Sequence, residues 1–208
     1  KGTDVLGCSD IIKPVTVTVN PLPAITGTQT NVLCNGANTG AIDITVTGGA
    51  VPYIYTWTGT GVIVSAEDQS NIVAGLYSVV VTDANICNSA TFQITITEPP
   101  ALSGTISSQT NVSVFGGNDG SVTVNGAGGT SPYLYKIGSG TYQASGTFGT
   151  LSAGSYTVTV QDFNLCTFNV PVNITQPLPP LSGSIVDQIN VLCYGASTGS
   201  VTVQGSGG

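Results

Sequence analysis

Residues 42–47 read Ile42-Asp43-Ile44-Thr45-Val46-Thr47, with an apolar side chain at every second position. Side chains of a strand point alternately to opposite faces, so this period of two indicates a β-strand with one buried and one solvated face. The same alternation returns at residues 92–96, 121–125 and 156–160. Because many of these residues are the β-branched valine and threonine, their propensity agrees with the pattern. The sequence therefore predicts an all-β protein.

The chain repeats itself with a period of 79 or 80 residues. Each repeat places an Asn-Val pair, a Gly-Gly pair followed by Pro-Tyr, a Gly-x-Tyr, and an aspartate four residues before a cysteine at corresponding positions. The matching segments are Asn31-Val32, Asn111-Val112 and Asn190-Val191; Gly48-Gly49 and Gly128-Gly129; Pro52-Tyr53 and Pro132-Tyr133; Gly75-Leu76-Tyr77 and Gly154-Ser155-Tyr156; and Asp4 to Cys8, Asp83 to Cys87 and Asp162 to Cys166. Such self-similarity is the signature of a tandem repeat architecture.

The repeat boundaries predict two whole domains and two partial ones. Residues 23–101 and 102–180 are whole repeats, 1–22 the C-terminal part of a preceding repeat, and 181–208 the N-terminal part of a following one. We therefore expect the natural protein to continue in both directions. Each whole repeat has room for about seven short antiparallel strands, which fits an immunoglobulin-like sandwich. We expect the first core to contain a set of β-strand aliphatics: Val46, Val79, Val81, Ile94 and Ile96.

Proline-rich junctions separate the repeats, at residues 98–102 and 176–181. Proline fixes φ and biases the preceding residue to extended geometry, so short junctions of this kind are semi-rigid. The sequence thus predicts repeats arranged end to end. Pro171 interrupts the last strand of the second repeat, and because proline cannot donate to a ladder, that strand should lie at an edge or carry a bulge.

Composition excludes several function classes. The chain has 208 residues with 3 Lys, no Arg, no His and 10 acidic residues, giving a net charge of −7. Phosphate contacts need Lys and Arg, so nucleic-acid binding is not expected. The absence of histidine removes the commonest general base and the commonest zinc ligand. No apolar run approaches the length of a membrane helix, so we expect no membrane insertion of this segment.

Acidic residues are scattered singly apart from the adjacent Glu67-Asp68, which has no counterpart in the second repeat. Nothing signals a catalytic pair in a cleft, so we expect no enzyme activity and no cofactor. Asp83 with Asn85, and Asp162 with Asn164, recur at the same turn. They are weak calcium candidates, because oxygen ligands at alternate positions can bind calcium, but two ligands fall short of the six to eight that it needs. Capping of the turn by the aspartate side chain is the favoured interpretation.

Tyr77 and Tyr156 each follow a turn at the start of the penultimate strand of their repeat. This is the place of a tyrosine corner, in which the hydroxyl bonds to upstream backbone, although an ordinary core tyrosine fits equally well.

The five cysteines recur at repeat positions, which favours disulfides over metal sites. The simplest pairing lies within a repeat, Cys34 with Cys87. A strict immunoglobulin topology speaks against it, because the two turns then lie at opposite ends of the sandwich. The alternative joins Cys34 to Cys166 of the next repeat. We prefer the first pairing, which leaves Cys166 unpaired because Val114 occupies the corresponding cysteine position.

Taken together, these motifs resemble the SprB-type repeat of the large cell-surface gliding-motility adhesins of Bacteroidetes. The first repeat carries the pattern as Cys34, Gly48-Gly49, Pro52-Tyr53-Ile54-Tyr55, Val73-Ala74-Gly75-Leu76-Tyr77, Asp83-Ala84-Asn85-Ile86-Cys87 and Pro99. The second departs from it at Val114 and at Ile137, where the first has Trp57. Ile86 and Leu165 replace the glycine that usually precedes the second cysteine.

The resemblance implies export to the cell surface, through the type IX secretion route, and a structural or adhesive role in surface adhesion and gliding. The expected partners are neighbouring repeats of the same chain, with surface polysaccharide or other filament copies as further candidates. The alternative function is a carbohydrate-binding accessory module of a secreted enzyme. Such a module needs a platform of exposed aromatics, and Trp57, the only tryptophan, is not repeated. Repetition of the whole unit favours the structural function.

Overall fold

A computed structural model describes residues 15–208. All regular elements in this part of the chain are β-strands, which confirms the predicted all-β class. The expected recurrence of the aspartate turn at Asp4 to Cys8 falls outside the described residues. The described part of the chain also has no apolar helix of a length that could cross a membrane.

The described residues divide into two compact units, of which the first contains residues 15–32 and Ala37–Thr97. Its strands are β1 (Ala24–Thr30), β2 (Gly40–Thr47), β3 (Ile54–Thr58), β4 (Gln69–Ile72), β5 (Gly75–Thr82) and β6 (Phe92–Ile96). They form two antiparallel sheets, with strand orders β1-β2-β4 and β3-β5-β6.

Aliphatic side chains from both sheets of the first unit form one core. Burying these side chains from two facing sheets is what makes the unit a sandwich of the immunoglobulin-like kind. Of the five residues that the sequence places in this core, Val79, Val81, Ile94 and Ile96 are buried. Val46 is partly buried and packs against them.

The second unit contains Leu33–Gly36 and Glu98–Gly208. Its sandwich strands are β7 (Ser103–Thr110), β8 (Gly120–Ala127), β9 (Leu134–Ile137), β10 (Thr147–Leu151), β11 (Gly154–Gln161) and β12 (Thr167–Ile174). Their sheets have the orders β10-β8-β7 and β12-β11-β9, the same arrangement as in the first unit. A hairpin of β13 (Ser182–Ile189) and β14 (Ser200–Ser206) follows.

Valines dominate the core of the second unit, with Val122, Val124, Val158 and Val160 almost fully buried. Pro171 lies on β12, opposite Thr157 of β11 and with an unbroken register. β12 is an edge strand of its sheet, as the sequence predicts for a strand that contains a proline.

Each sandwich has six strands within the described residues, one fewer than the number estimated from the sequence. Unusual backbone conformations also recur at corresponding positions of the two units. The cis peptide bonds Val51-Pro52 and Ser131-Pro132 occupy corresponding positions, as do the non-glycine residues of positive φ Asn71 and Thr150.

Candidate functional site: the aspartate turns and the disulfide

The turn at residues 83–87, between β5 and β6, is organised by one carboxylate, and we call it an acceptor turn. Asp83 is buried, and its Oδ1 accepts hydrogen bonds from the backbone N–H groups of Asn85 at 2.9 Å and Cys87 at 2.8 Å. Its Oδ2 accepts the N–H of Ala50 at 3.0 Å. The backbone closes the turn with a bond from Asp83 N to Cys87 O at 2.9 Å. The aspartate therefore satisfies two donors of the turn, the bonding pattern of an Asx turn, and a third donor from the loop that contains Ala50.

Residues 162–166 form the acceptor turn of the second unit. Asp162 is buried, with its Oδ1 accepting the N–H of Cys166 at 2.9 Å and its Oδ2 the N–H of Thr130 at 2.9 Å. Asp162 N donates to Cys166 O at 3.0 Å. Repetition of the Asp-x-Asn-x-Cys sequence is thus repetition of one hydrogen-bonded structure.

The Gly-Gly pairs allow backbone to approach these carboxylates. Gly49 has a φ of +65° and Gly129 a φ of +55°. A Cβ on Gly49 would lie 3.1 Å from Asp83 Oδ2, and one on Gly129 only 2.6 Å from Asp162 Oδ2. Glycine is required at both positions, because any side chain would displace the carboxylate from the N–H that it accepts.

The calcium candidates lie at these turns, Asp83 with Asn85 and Asp162 with Asn164. Both aspartates direct their oxygens at backbone N–H donors. Among the described residues, no group of three or more acidic residues and cysteines could hold a metal ion. The arrangement is suited to fixing a turn.

Hydrogen bonds also set the acidity of the first turn. The backbone N–H of Cys87 lowers the pKa of Asp83 most, and that of Ala50 lowers it further, because both stabilise the ionised form. Burial of the carboxyl acts in the opposite direction but is outweighed.

We expect the first unit to lose stability in acid. The ionised Asp83 contributes fully at pH values above the ordinary pKa of 3.8, and this contribution is lost as the pH falls through the lower pKa of the folded state. Urea unfolding followed by the fluorescence of Trp57 should show a midpoint that falls below about pH 4. Asp83→Asn should flatten this dependence, whereas Asp43→Asn, on an exposed side chain, should preserve it. An unchanged profile in Asp83→Asn would contradict this role.

Two bulky residues occupy strained positions in the acceptor turns. Ile86 and Leu165 each have a φ of +66°, and each directly precedes the cysteine of its turn. The left-handed region costs a side-chain-bearing residue roughly 1–2 kcal/mol.

Ile86→Gly should therefore stabilise the first unit. The relief of backbone strain outweighs the extra conformational entropy that glycine gives the unfolded chain. The free energy of unfolding should therefore rise by about 0.5–1 kcal/mol. Ala84→Gly is the matched control, because it lies in the same turn without a positive φ and should lose about that amount. Urea unfolding measured through Trp57 distinguishes the two, and a loss of stability in Ile86→Gly would show that the turn is unstrained.

The disulfide joins Cys34 to Cys166, with a Cα–Cα distance of 5.8 Å. Our preferred pairing of Cys34 with Cys87 is therefore wrong, and the alternative is the one formed. Cys87 is free and partly buried, and Cys193 is free and exposed. Cys166, expected to be unpaired under the preferred scheme, is the partner.

Topology gives the physical reason. The loop after β1 is tied to the end of β6, since Val32 N donates to Thr97 O at 2.9 Å and Thr97 N to Asn31 Oδ1 at 2.9 Å. Cys87 precedes the start of β6. The length of β6 separates the two ends by roughly 17 Å, far beyond the ~7 Å Cα–Cα limit of a disulfide.

Residues 33–36, which we call the cysteine loop, contact the acceptor turn of the second unit beyond the disulfide. Asn164 Nδ2 donates to Leu33 O at 3.0 Å. Asn35 Nδ2 donates to Pro99 O at 3.1 Å, and Gly36 N to a Glu98 carboxylate oxygen at 2.6 Å. Sequence analysis did not find these contacts, and its only trace of them was the asparagine that recurs before the cysteine.

A cavity of about 390 Å³ lies beside the disulfide. It is lined by Cys34, Asn35, Ala101, Leu102, Leu165, Cys166 and Thr167. No charged side chain lines it, so its chemistry is that of an amide and hydrocarbon surface around a crosslink.

The corner tyrosines bond to upstream backbone. Tyr77 is buried, and its hydroxyl donates to two carbonyl oxygens, Val73 O at 2.8 Å and Thr60 O at 3.1 Å. Burial raises the pKa of Tyr77. Tyr156 donates to Ser152 O at 3.0 Å. Both hydroxyls reach the carbonyl four residues upstream, the geometry of a tyrosine corner.

Other aromatic side chains also serve the fold. Trp57 is 2% exposed, and its Nε1 donates to Ala66 O at 2.9 Å. Tyr53 and Tyr133 donate to the carbonyls of Gly48 at 2.5 Å and Gly128 at 2.6 Å. Burial raises the pKa of Tyr55 to about 12, with a smaller contribution from its hydrogen bond to Glu67. These side chains hold turns and core rather than forming an exposed platform.

The comparisons with known proteins match this chain to a repeat family. The SprB repeat model matches residues 26–62 and 106–142, segments that contain β1 to β3 and β7 to β9. Comparison with curated proteins gives no match.

Solved structures are similar to the chain at low identity. The three N-terminal domains of the highly immunogenic outer capsid protein (Hoc) of bacteriophage RB49 share 16% identity with a TM-score of 0.43, over 89% of this chain and 69% of that one. Domains 4 and 5 of the S-layer protein SbsC share 18% identity with a TM-score of 0.33, over 76% of this chain and 99% of that one. A structure of SbsC domains 4–9 shares 19% identity with a TM-score of 0.33, over 81% of this chain and 32% of that one.

Proposed function

Since the chain carries two SprB repeats, we propose that it is a structural repeat region of an exported cell-surface protein and that it serves surface adhesion and gliding motility. The observation that carries the proposal is the use of the recurring residues. The aspartates bind turn N–H groups, the corner tyrosines bind backbone carbonyls, and the Cys34–Cys166 pair forms a crosslink. The recurring residues therefore stabilise the fold of each repeat. This is expected of a repeat array that is selected for its length and mechanical strength.

The proposed module is not an enzyme. Asp83 and Asp162, the buried carboxylates, each accept at least two backbone hydrogen bonds. A catalytic acid or base needs a group that can exchange a proton with a substrate in a cleft. Buried carboxylates whose oxygens are engaged by backbone N–H donors do not meet that requirement, which supports a structural role.

The disulfide supports a location outside the cytoplasm. Structural disulfides form and persist in oxidising compartments, including cell surfaces. Type IX secretion is the export route we propose. The low charge of the chain, with net −7 spread over 208 residues, fits a surface solvated mainly by Thr, Ser, Asn and Gln side chains.

Surface labelling tests the location and deletion tests the role. Antibodies against the whole chain should label intact cells of the source bacterium, and a strain without the gene should lose label together with attachment to glass and colony spreading. Labelling only after permeabilisation would overturn the surface location. Normal attachment and spreading in the deletion strain would overturn the adhesive role.

A glycan array distinguishes the proposal from a carbohydrate-binding module. The purified chain should show no saturable binding to any one glycan. Saturable binding to one glycan would contradict a purely structural unit. Loss of that binding in Tyr194→Ala, which removes the most exposed aromatic side chain of the described residues, would place the sugar site there.

A further inference from the structure

Both halves of the disulfide contact occur a second time among the described residues, and in these copies each cysteine is free. The first unit has its own acceptor turn, ending at Cys87, which corresponds to the turn ending at Cys166. A second cysteine loop at residues 192–195 corresponds to the loop at residues 33–36. Cys87 and Cys193 are the free cysteines of the described residues.

The free acceptor turn already has the conformation of the occupied one. Ile86 and Leu165 share a φ of +66°. Cys87 N reaches Asp83 Oδ1 at 2.8 Å, against 2.9 Å for the bond from Cys166 N in the occupied turn. Binding of a cysteine loop therefore requires no rearrangement of the turn backbone.

The donor that holds the loop is available as well. In the occupied turn, the Asn164 amide binds the Leu33 carbonyl, which places the loop for the disulfide. The corresponding amide in the free turn belongs to Asn85, whose side chain is exposed. Asn85 can therefore hold the carbonyl of an incoming leucine in the same way.

The free cysteine loop has the features of the bound one. Gly195 has a φ of +82° and Gly36 a φ of +73°, so both loops turn at the same position. Leu192 and Tyr194 flank Cys193 and are almost fully exposed. Cys193 is exposed with them and is accessible to a second copy.

We propose that the acceptor turn at residues 83–87 binds the cysteine loop at residues 192–195 of a second copy of this chain, with a disulfide between Cys87 and Cys193. The occupied pair within the second unit is the template for this contact. The two thiols lose two protons and two electrons, and a low-molecular-weight disulfide such as oxidised glutathione takes them to become two thiols. Among residues 15–208 each copy offers one free turn and one free loop, so the contact is head-to-tail and builds open chains. The inference depends on the equivalence of the repeats and not on the location proposed above.

Oxidation of the purified chain tests this contact. All proteins carry Cys8→Ser, so that Cys87 and Cys193 are the reacting thiols. In a glutathione redox buffer we expect a ladder of covalent species at multiples of 20.9 kDa, with Cys87–Cys193 peptides after digestion. A Cys87→Ser copy mixed with a Cys193→Ser copy should stop at a dimer. Cys193–Cys193 dimers or a Cys87–Cys193 bond within one copy would overturn the proposal.

A second pair of variants separates docking from random collision of thiols. Asn85→Ala keeps both cysteines but removes the amide that holds the loop, and we expect the ladder to form about fivefold more slowly, the factor that one hydrogen bond is typically worth. Asn88→Ala is the matched control, because Asn88 lies next to the turn and bonds to Thr82 instead. Equal rates for Asn85→Ala and the parent would overturn docking by the turn.

Discussion

Replacing Cys34 and Cys166 together by serine should lower the free energy of unfolding of the second unit by about 3–5 kcal/mol. The bond spans 132 residues, and the chain-entropy model gives about 5 kcal/mol for closing a loop of that length. The measurement is calorimetric or denaturant unfolding without reductant. The parent protein with dithiothreitol should match the double variant.

The control for the crosslink replaces the free cysteines. Cys87→Ser with Cys193→Ser should change the stability by less than about 0.5 kcal/mol, because neither residue is bonded and Cys193 is exposed. Equal losses in the two double variants would show that the bond contributes nothing specific.

Asp162→Ala should destabilise the second unit by about 2–5 kcal/mol. The substitution leaves the N–H groups of Thr130 and Cys166 without acceptors beside a buried position, and each orphaned donor costs about 1–3 kcal/mol. Asp162→Asn should cause a smaller loss, because one carboxamide oxygen still accepts while the NH₂ group opposes the other donor. The measurement is calorimetry of the transition in which the second unit unfolds.

Asp187→Ala is the matched control, since Asp187 lies on β13 with an exposed side chain. It should change the stability by less than about 0.5 kcal/mol. If Asp162→Ala behaved like Asp187→Ala, the carboxylate would not be the organiser of the acceptor turn.

Strands and core could be predicted because their signal is local. The period of two in residues 42–47 determines which side chains face inward, and Ile42 and Ile44 are buried as the pattern requires. Val46 is only partly buried, because it lies near the end of β2 and pairs with Ile25 close to the start of β1. Alternation indicates the face of a side chain but not its distance from the edge of the core.

The cysteine pairing could not be predicted in the same way. Cys34 and Cys87 are closer in sequence, which favours closing the smaller loop, but the ends of β6 hold their turns apart. The contact of Asn164 with Leu33 depends on an approach of segments 131 residues apart. No local pattern encodes such an approach, although recurrence of an exposed asparagine at one turn position was a signal that the side chain has a partner.

Aromatic residues that recur in both repeats were easier to interpret from the sequence than the one that does not recur. Tyr77 and Tyr156 occupy corresponding positions, which left a corner and an ordinary core tyrosine open, and their hydroxyl bonds to backbone four residues upstream identify the corner. Trp57 is replaced by Ile137 in the second repeat, and its hydrogen bond to Ala66 has no counterpart in the sequence pattern. The sequence indicated that Trp57 is not part of a repeated binding site, and burial of its side chain in the core gives the physical reason.

Peptide mapping of the unreduced protein is the most direct test of a structural array held by a crosslink between the first loop of one repeat and the aspartate turn of the next. Free thiols are alkylated under denaturing conditions, the chain is digested, and disulfide-linked peptides are identified by mass. We predict one linked pair, Cys34 with Cys166, and alkylated Cys87 and Cys193 when the protein is a monomer. Linkage of Cys34 to Cys87 with a free Cys166 would contradict the account.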